Sequence, residues 1–74
     1  MKPAQVRMAR AALRWSLEDL AKAAGVHRNT INNFENERFQ GTIEAQDAIR
    51  NALEAGGVEF IPENGGGAGV RLRK

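Results

Sequence analysis

Residues 16–36 read SLEDLAKAAGVHRNTINNFEN, and the fold follows from how that stretch divides. Ser16 precedes Leu17, Glu18 and Asp19, so its hydroxyl caps free helix amides while Asp19, three residues on, completes a capping box. Leu20, Ala21 and Ala24 give this short helix an apolar side, and Gly25 ends it where a left-handed residue costs least. Val26, Ile31 and Phe34 supply the apolar side of a second helix running to about Asn36, with His27 and Arg28 filling the gap between Val26 and the periodic segment. Two short helices are thus expected to meet across a tight turn at Gly25.

The solvent side of that second helix is unusual for a segment that only has to fold. Asn29, Asn32 and Asn33 are mediocre helix formers, yet they occupy expected surface positions where Glu, Lys or Ala is more stable. Asparagine donates and accepts at once, and it pairs bidentately with N6 and N7 of adenine in the major groove. The face is therefore read as a DNA-reading surface in preference to a merely solvated one.

Outward from the decisive stretch, Pro3 suits a first helical turn, and Val6, Ala9 and Leu13 recur at helical spacing, giving a helix from about 3 to 14 with Arg7, Arg10 and Arg14 on its other side. Beyond the loop ERFQG at 37–41, Thr42 caps a fourth helix whose expected buried side is Ile43, Ala45, Ala48, Ile49, Ala52 and Leu53, until Gly56-Gly57 stops it. The period then changes. Val58 and Phe60 alternate with Glu59 and Ile61, residues 62–69 are turn-rich, and Val70 and Leu72 alternate with Arg71 and Arg73, which reads as a two-stranded hairpin. A lone hairpin is marginal in water, so it must lie on the helices or pair with another chain. The GGGAG run at 65–69 lacks the Lys-Ser/Thr of a phosphate loop and precedes a strand pattern, so it is a turn.

Composition narrows the function. The chain has 74 residues, no Cys, no Tyr, one His and a net charge of +2, which suits one small globular unit. His27 is the sole histidine and Ser16 the sole serine, so one chain can assemble neither a Ser/His/Asp set nor a multi-His metal site. Neither an enzyme nor any metal, cofactor or small-molecule ligand is expected. No apolar run approaches the roughly 18–20 residues of a spanning helix, and the N-terminus has no secretory apolar core, so no membrane partner and a cytoplasmic location are expected. Residues 1–42 carry a balance of +3, residues 43–69 one of −4, and residues 70–74 return +3, which makes the N-terminal half the one suited to a phosphate backbone.

The segment from Ser16 to Asn36 resembles the helix-turn-helix of the lambdoid phage repressor and Cro family, the Xre-like regulators. The matching features are the polar cap, Glu18, Leu20-Ala21, Gly25-Val26, Ile31 three residues before Phe34, and Glu35-Asn36. The likeness spans about residues 4 to 55. It implies a mainly α fold: a four-helix repressor-like helix-turn-helix domain over 1–57, followed over 58–74 by the C-terminal β-hairpin. It also implies that the third helix enters the major groove, where His27, Arg28, Asn29 and Asn33 read bases. Arg10, Ser16, Thr30, Asn32, Asn36 and Arg38 are then placed along the DNA backbone, with Lys2 and Arg7 also near phosphates. In the family a basic residue late in helix one pairs with the acid that ends helix three, a buttress that Arg10 and Glu35 fit. Three positions depart from the family pattern: Leu17 stands for a Gln, while Arg14 and Glu37 stand for glycines.

The function this implies is a sequence-specific double-stranded DNA-binding transcriptional regulator of prophage or mobile-element type, acting as a homodimer on a palindromic operator. The hairpin, through Val58, Phe60, Val70 and Leu72, is expected to help form the dimer. The alternative is a protein-binding antitoxin-like or anti-activator module built on the same scaffold, which the modest net charge and Glu37 leave open.

Overall fold

The computed structural model describes residues 1–38, 41–62 and 65–73. Part of the ERFQG loop and the terminal Lys74 lie outside the described residues. Four helices and a hairpin follow in order: α1 Pro3–Leu13, α2 Leu17–Ala24, α3 Arg28–Glu35, α4 Ile43–Ala55, β1 Val58–Ile61 and β2 Gly69–Leu72. The architecture is mainly helical with a C-terminal two-stranded antiparallel sheet, as expected from the sequence periods.

Each helix starts where the local chemistry directs. The amide of Asp19 donates to Ser16 Oγ at 3.0 Å while the amide of Ser16 donates to the Asp19 carboxylate at 2.9 Å, so the capping box is complete. Thr42 Oγ1 accepts from the amide of Ala45 at 3.0 Å at the head of α4. The ends share one device. After α1, the Trp15 amide reaches the Arg10 carbonyl and the Arg14 amide that of Ala11; after α3, the Arg38 amide reaches Asn33 and the Glu37 amide reaches Phe34. Both are Schellman closures, which demand a left-handed residue. Gly25 meets that demand after α2 with φ +70°, but α1 and α3 close on Arg14 (φ +58°) and Glu37 (φ +60°). The two departures from glycine therefore keep the turn geometry and carry strain instead, and α1 and α3 each stop one residue earlier than their periodicity suggested.

One core joins every element. Val6 and Ala9 of α1, Leu20 of α2, Ile31 and Phe34 of α3, Ile49, Ala52 and Leu53 of α4, and Val58 of β1 are all buried together. A fully buried Leu, Ile or Val contributes about 1.5–3 kcal/mol, so these residues dominate the stability of so short a chain. Leu13 and Trp15 pack against the same core and close on Gly56, where an added Cβ would sit 2.9 Å from Leu13 Cδ1 and 3.0 Å from the Trp15 ring. A larger residue there forces Leu13 or the Trp15 ring to shift.

Ile43 corrects the expected buried side of α4, because it is 76% exposed. It lies six positions before Ile49 and so about 120° around the helix from it, whereas Ala45 and Ala48 sit on the inner stripe and are half-buried. Between the two expected fates of the hairpin, packing on the helices is the one observed. Val58 pairs with Leu72, Glu59 with Arg71, Phe60 with Val70 and Ile61 with Gly69. Gln5, buried in α1, donates to the carbonyls of Ile61 (3.3 Å) and Gly69 (3.0 Å), pinning the far end of the hairpin to the first helix. The guanidinium of Arg50 lies 5.5 Å from the Phe60 ring and covers its outer side. Among the described residues no helix is long and apolar enough to cross a membrane.

Candidate nucleic-acid interface

The turn between α2 and α3 sets the orientation of α3. Gly25 turns the chain, the amides of Gly25 and Val26 both donate back to the Ala21 carbonyl, and His27 caps the next helix. Its Nδ1 accepts from the amide of Asn29 at 3.0 Å. The capping bond uses the ring's acceptor nitrogen, which leaves Nε2 as the nitrogen that carries a proton outward.

Ile31, Phe34 and Glu35 face the core, and the rest of α3 looks out. His27, Arg28 and Asn29 are exposed, and Thr30, Asn32 and Asn33 are half-buried, so two of the asparagines are less exposed than their pattern suggested. The asparagines differ in a second way. Asn36 Nδ2 donates to both the carbonyl (2.8 Å) and the side-chain Oδ1 (3.0 Å) of Asn32, coupling those two residues across the helix end. Among the described residues the carboxamides of Asn29 and Asn33 make no hydrogen bond at all. Arg28 Nη1 stands 3.4 Å from the Glu18 carboxylate, an exposed pair linking the first residue of α3 to α2.

Behind this face, α3 is fastened to α1. Arg10 Nε and Nη2 donate to the two carboxylate oxygens of Glu35 at 2.7 and 2.9 Å, and Nη1 donates to the Trp15 carbonyl at 3.1 Å. Glu35 is 4% exposed, so its charge is removed from water and satisfied by a planar fork that matches it. The hydrogen bond to Glu35 holds the Arg10 guanidinium above its ordinary pKa, outweighing the opposing effect of burial. Arg7 adds a second fastening, since its Nη1 donates to the main-chain carbonyl of Glu35 at the negative end of the α3 dipole. The residue pattern placed Arg7 near phosphate; its position one helical turn before Arg10 was the available sign that both reach the same neighbour.

The other expected backbone residues scatter. Ser16 is exposed, with its oxygen committed to the α2 cap. Arg38 is exposed just beyond the left-handed Glu37, and Asn36 is exposed but tied to Asn32. Thr30 lies in the first turn of α3, with its amide on the His27 carbonyl at 3.0 Å. The four hairpin residues read as dimer contacts divide sharply. Val58 is 0% exposed in this chain's own core, Phe60 and Val70 pack against that core, and Leu72 alone is open, at 45%. Gln5 was not singled out from sequence, because a glutamine in a polar helical pattern gives no sign that it is buried.

No curated protein matches the chain. The helix-turn-helix family model HTH_3 matches residues 6–50, more than half of the chain and the whole α1 to α3 scaffold from Val6 onward. The capped α2, the left-handed turn, the outward polar face of α3 and its Arg10–Glu35 fastening all lie within that match. The chain belongs to the Xre and lambda repressor-like helix-turn-helix family, whose members are DNA-binding transcription regulators.

Proposed function

We propose that this chain is a sequence-specific regulator of prophage or mobile-element type that binds a palindromic operator as a homodimer, with α3 in the major groove. The observation that carries the reading is the pair of uncommitted carboxamides, Asn29 and Asn33, on the outer face of a helix held rigidly from behind by Arg10 and Glu35. Polar side chains without internal partners on a fixed scaffold suit the reading of base edges, because little freedom is lost on binding. His27 and Arg28 extend the surface toward the head of α3, while Thr30, Asn32 and Arg38 lie beside it as contacts to phosphate, with Ser16 and Asn36 at its margins. Arg10 serves chiefly as the buttress, since each of its three nitrogens already donates.

Two such helices must sit about 34 Å apart to enter successive major grooves on one side of a duplex. The dimer contact is assigned to the open end of the hairpin around Leu72, because Val58, Phe60 and Val70 are already occupied by the core. Basic groups of the N-terminal half draw the chain to phosphate and confer salt-dependent affinity; base contacts confer preference.

Selection of bound duplexes from a random pool tests this function. The expected product is a two-fold symmetric motif whose affinity falls steeply from 50 to 200 mM salt. A pool that returns no enriched sequence overturns the specific regulator, and salt-sensitive binding without enrichment identifies an unspecific DNA-coating protein instead.

A further inference from the structure

The hydrogen bonds already made along α3 sort its polar side chains by what they have left to offer, and resting on the major-groove reading above, we infer that the half-site carries two adenines at separate positions beside a guanine. Asn29 and Asn33 keep both donor and acceptor of their carboxamides free among the described residues, which is the set needed to hold adenine N7 and N6 together. They stand at i and i+4 on one stripe of the helix, about 6 Å apart along its axis, against a rise of about 3.4 Å per base step. The two carboxamides therefore address different base pairs of the same half-site.

The neighbours are already partly committed elsewhere. Asn32 has its Oδ1 engaged by Asn36 and presents chiefly N–H donors, which suit a phosphate oxygen. Asn36 spends Nδ2 on the same bond and on the Asn32 carbonyl. His27 spends Nδ1 on capping α3 and has only its Nε2 donor to offer, which an acceptor on a base edge or a phosphate can meet. Arg28 contributes donors alone, and bidentate donation in the major groove selects O6 and N7 of guanine. Its present partner, Glu18 at 3.4 Å, is exposed and separable, so the guanidinium is free to exchange a carboxylate for a base. Of the four asparagines from 29 to 36, the structure thus assigns base reading to one stripe, 29 and 33, and positioning to the other, 32 and 36.

The test repeats the site selection with the intact chain and with Asn29→Ala, Asn33→Ala, Asn32→Ala and Arg28→Ala. Expected are adenine columns that flatten singly in the first two variants, a guanine column that flattens in the last, and an unchanged motif for Asn32→Ala with uniformly weaker binding. Replacing each selected adenine by 7-deazaadenine, which removes N7 and leaves the protein untouched, is expected to weaken binding about 5- to 150-fold with the unmodified chain. The inference is overturned if a motif is enriched but lacks the adenine pair, if N7 removal is without effect, or if a column flattens in Asn32→Ala. Absence of any motif is a different failure, that of the regulator itself.

Discussion

The carboxylate of Glu35, the last residue of α3, is gripped by the guanidinium of Arg10 on α1 through two hydrogen bonds of 2.7 and 2.9 Å, with the acid almost wholly buried. A buried pair of this kind is expensive to break from one side, because losing Glu35 leaves the Arg10 guanidinium only the Trp15 carbonyl as a partner. Glu35→Ala is expected to cost about 3 kcal/mol, and in a domain this small each 1 kcal/mol lowers the melting temperature by roughly 4–8 °C. Arg10→Lys keeps the charge but loses the fork and is expected to fall between wild type and Glu35→Ala in a thermal melt.

Arg14 and Glu37 occupy left-handed turns at φ +58° and +60° that glycine fills without a Cβ penalty. The strain of a left-handed residue is about 1–2 kcal/mol, and the greater unfolded freedom of glycine offsets about half of it. Arg14→Gly and Glu37→Gly are each expected to raise stability by about 0.5–1 kcal/mol. The two turns lie at the ends of different helices, so the double variant is expected to show close to the sum in denaturant unfolding.

Glu18 restrains Arg28 and places a negative charge beside the reading face. Glu18→Gln is expected to tighten binding to unrelated duplex by up to about fivefold at low salt, since an exposed pair is worth about 0–1 kcal/mol. Fluorescence anisotropy on a scrambled duplex checks it; weaker binding shows that Glu18 orients Arg28 productively.

Within the hairpin, the cross-strand partners Val58 and Leu72 differ in burial, and the proposed dimer contact falls on the open one. Leu72→Glu is expected to yield a folded monomer by sedimentation with weakened operator binding, whereas Val58→Ala removes buried methyl groups from the core and lowers the melting temperature. A Leu72→Glu chain that still dimerises moves the interface elsewhere.

Arg71 Nε donates to Glu59 at 2.9 Å across the strands, and this bond holds the Glu59 carboxyl below its ordinary value of 4.5. A carboxylate depressed on folding adds stability above that ordinary value and loses it as pH falls through the folded one. The clamp is therefore expected to persist at pH 5 and open in stronger acid, seen as a shift of the Arg71 Nε–H signal that Glu59→Gln abolishes. Both side chains are well exposed, so the global melt changes little. The raised pKa of Arg10 works oppositely, because the guanidinium's own titration removes its contribution only in strong alkali.

The elements were legible in sequence because their ends are written in residues with local effects. Ser16, Thr42 and Gly25 act on their own neighbours, and periods of 3.6 and 2 distinguish α4 from the hairpin. What stayed hidden depends on tertiary angle and partner. Ile43 carries an apolar side chain, yet its angle around α4 turns it to solvent; Gln5 is polar, yet two hairpin carbonyls make it a buried clamp. The four asparagines from 29 to 36 are alike as letters, and in the sequence it was the family resemblance that sorted them. Exposure and the Asn36–Asn32 bonds divide them, and both are set by how the helix end is placed in the fold.

The most direct test is a titration of the isotopically labelled chain with its selected duplex, following the side-chain carboxamide signals of all the asparagines by NMR. Expected are large shifts at Asn29 and Asn33, smaller ones at Asn32 and Asn36, and an undisturbed hairpin core. Saturating binding that leaves the Asn29 and Asn33 carboxamides unmoved contradicts the assignment of α3 as the surface that reads DNA.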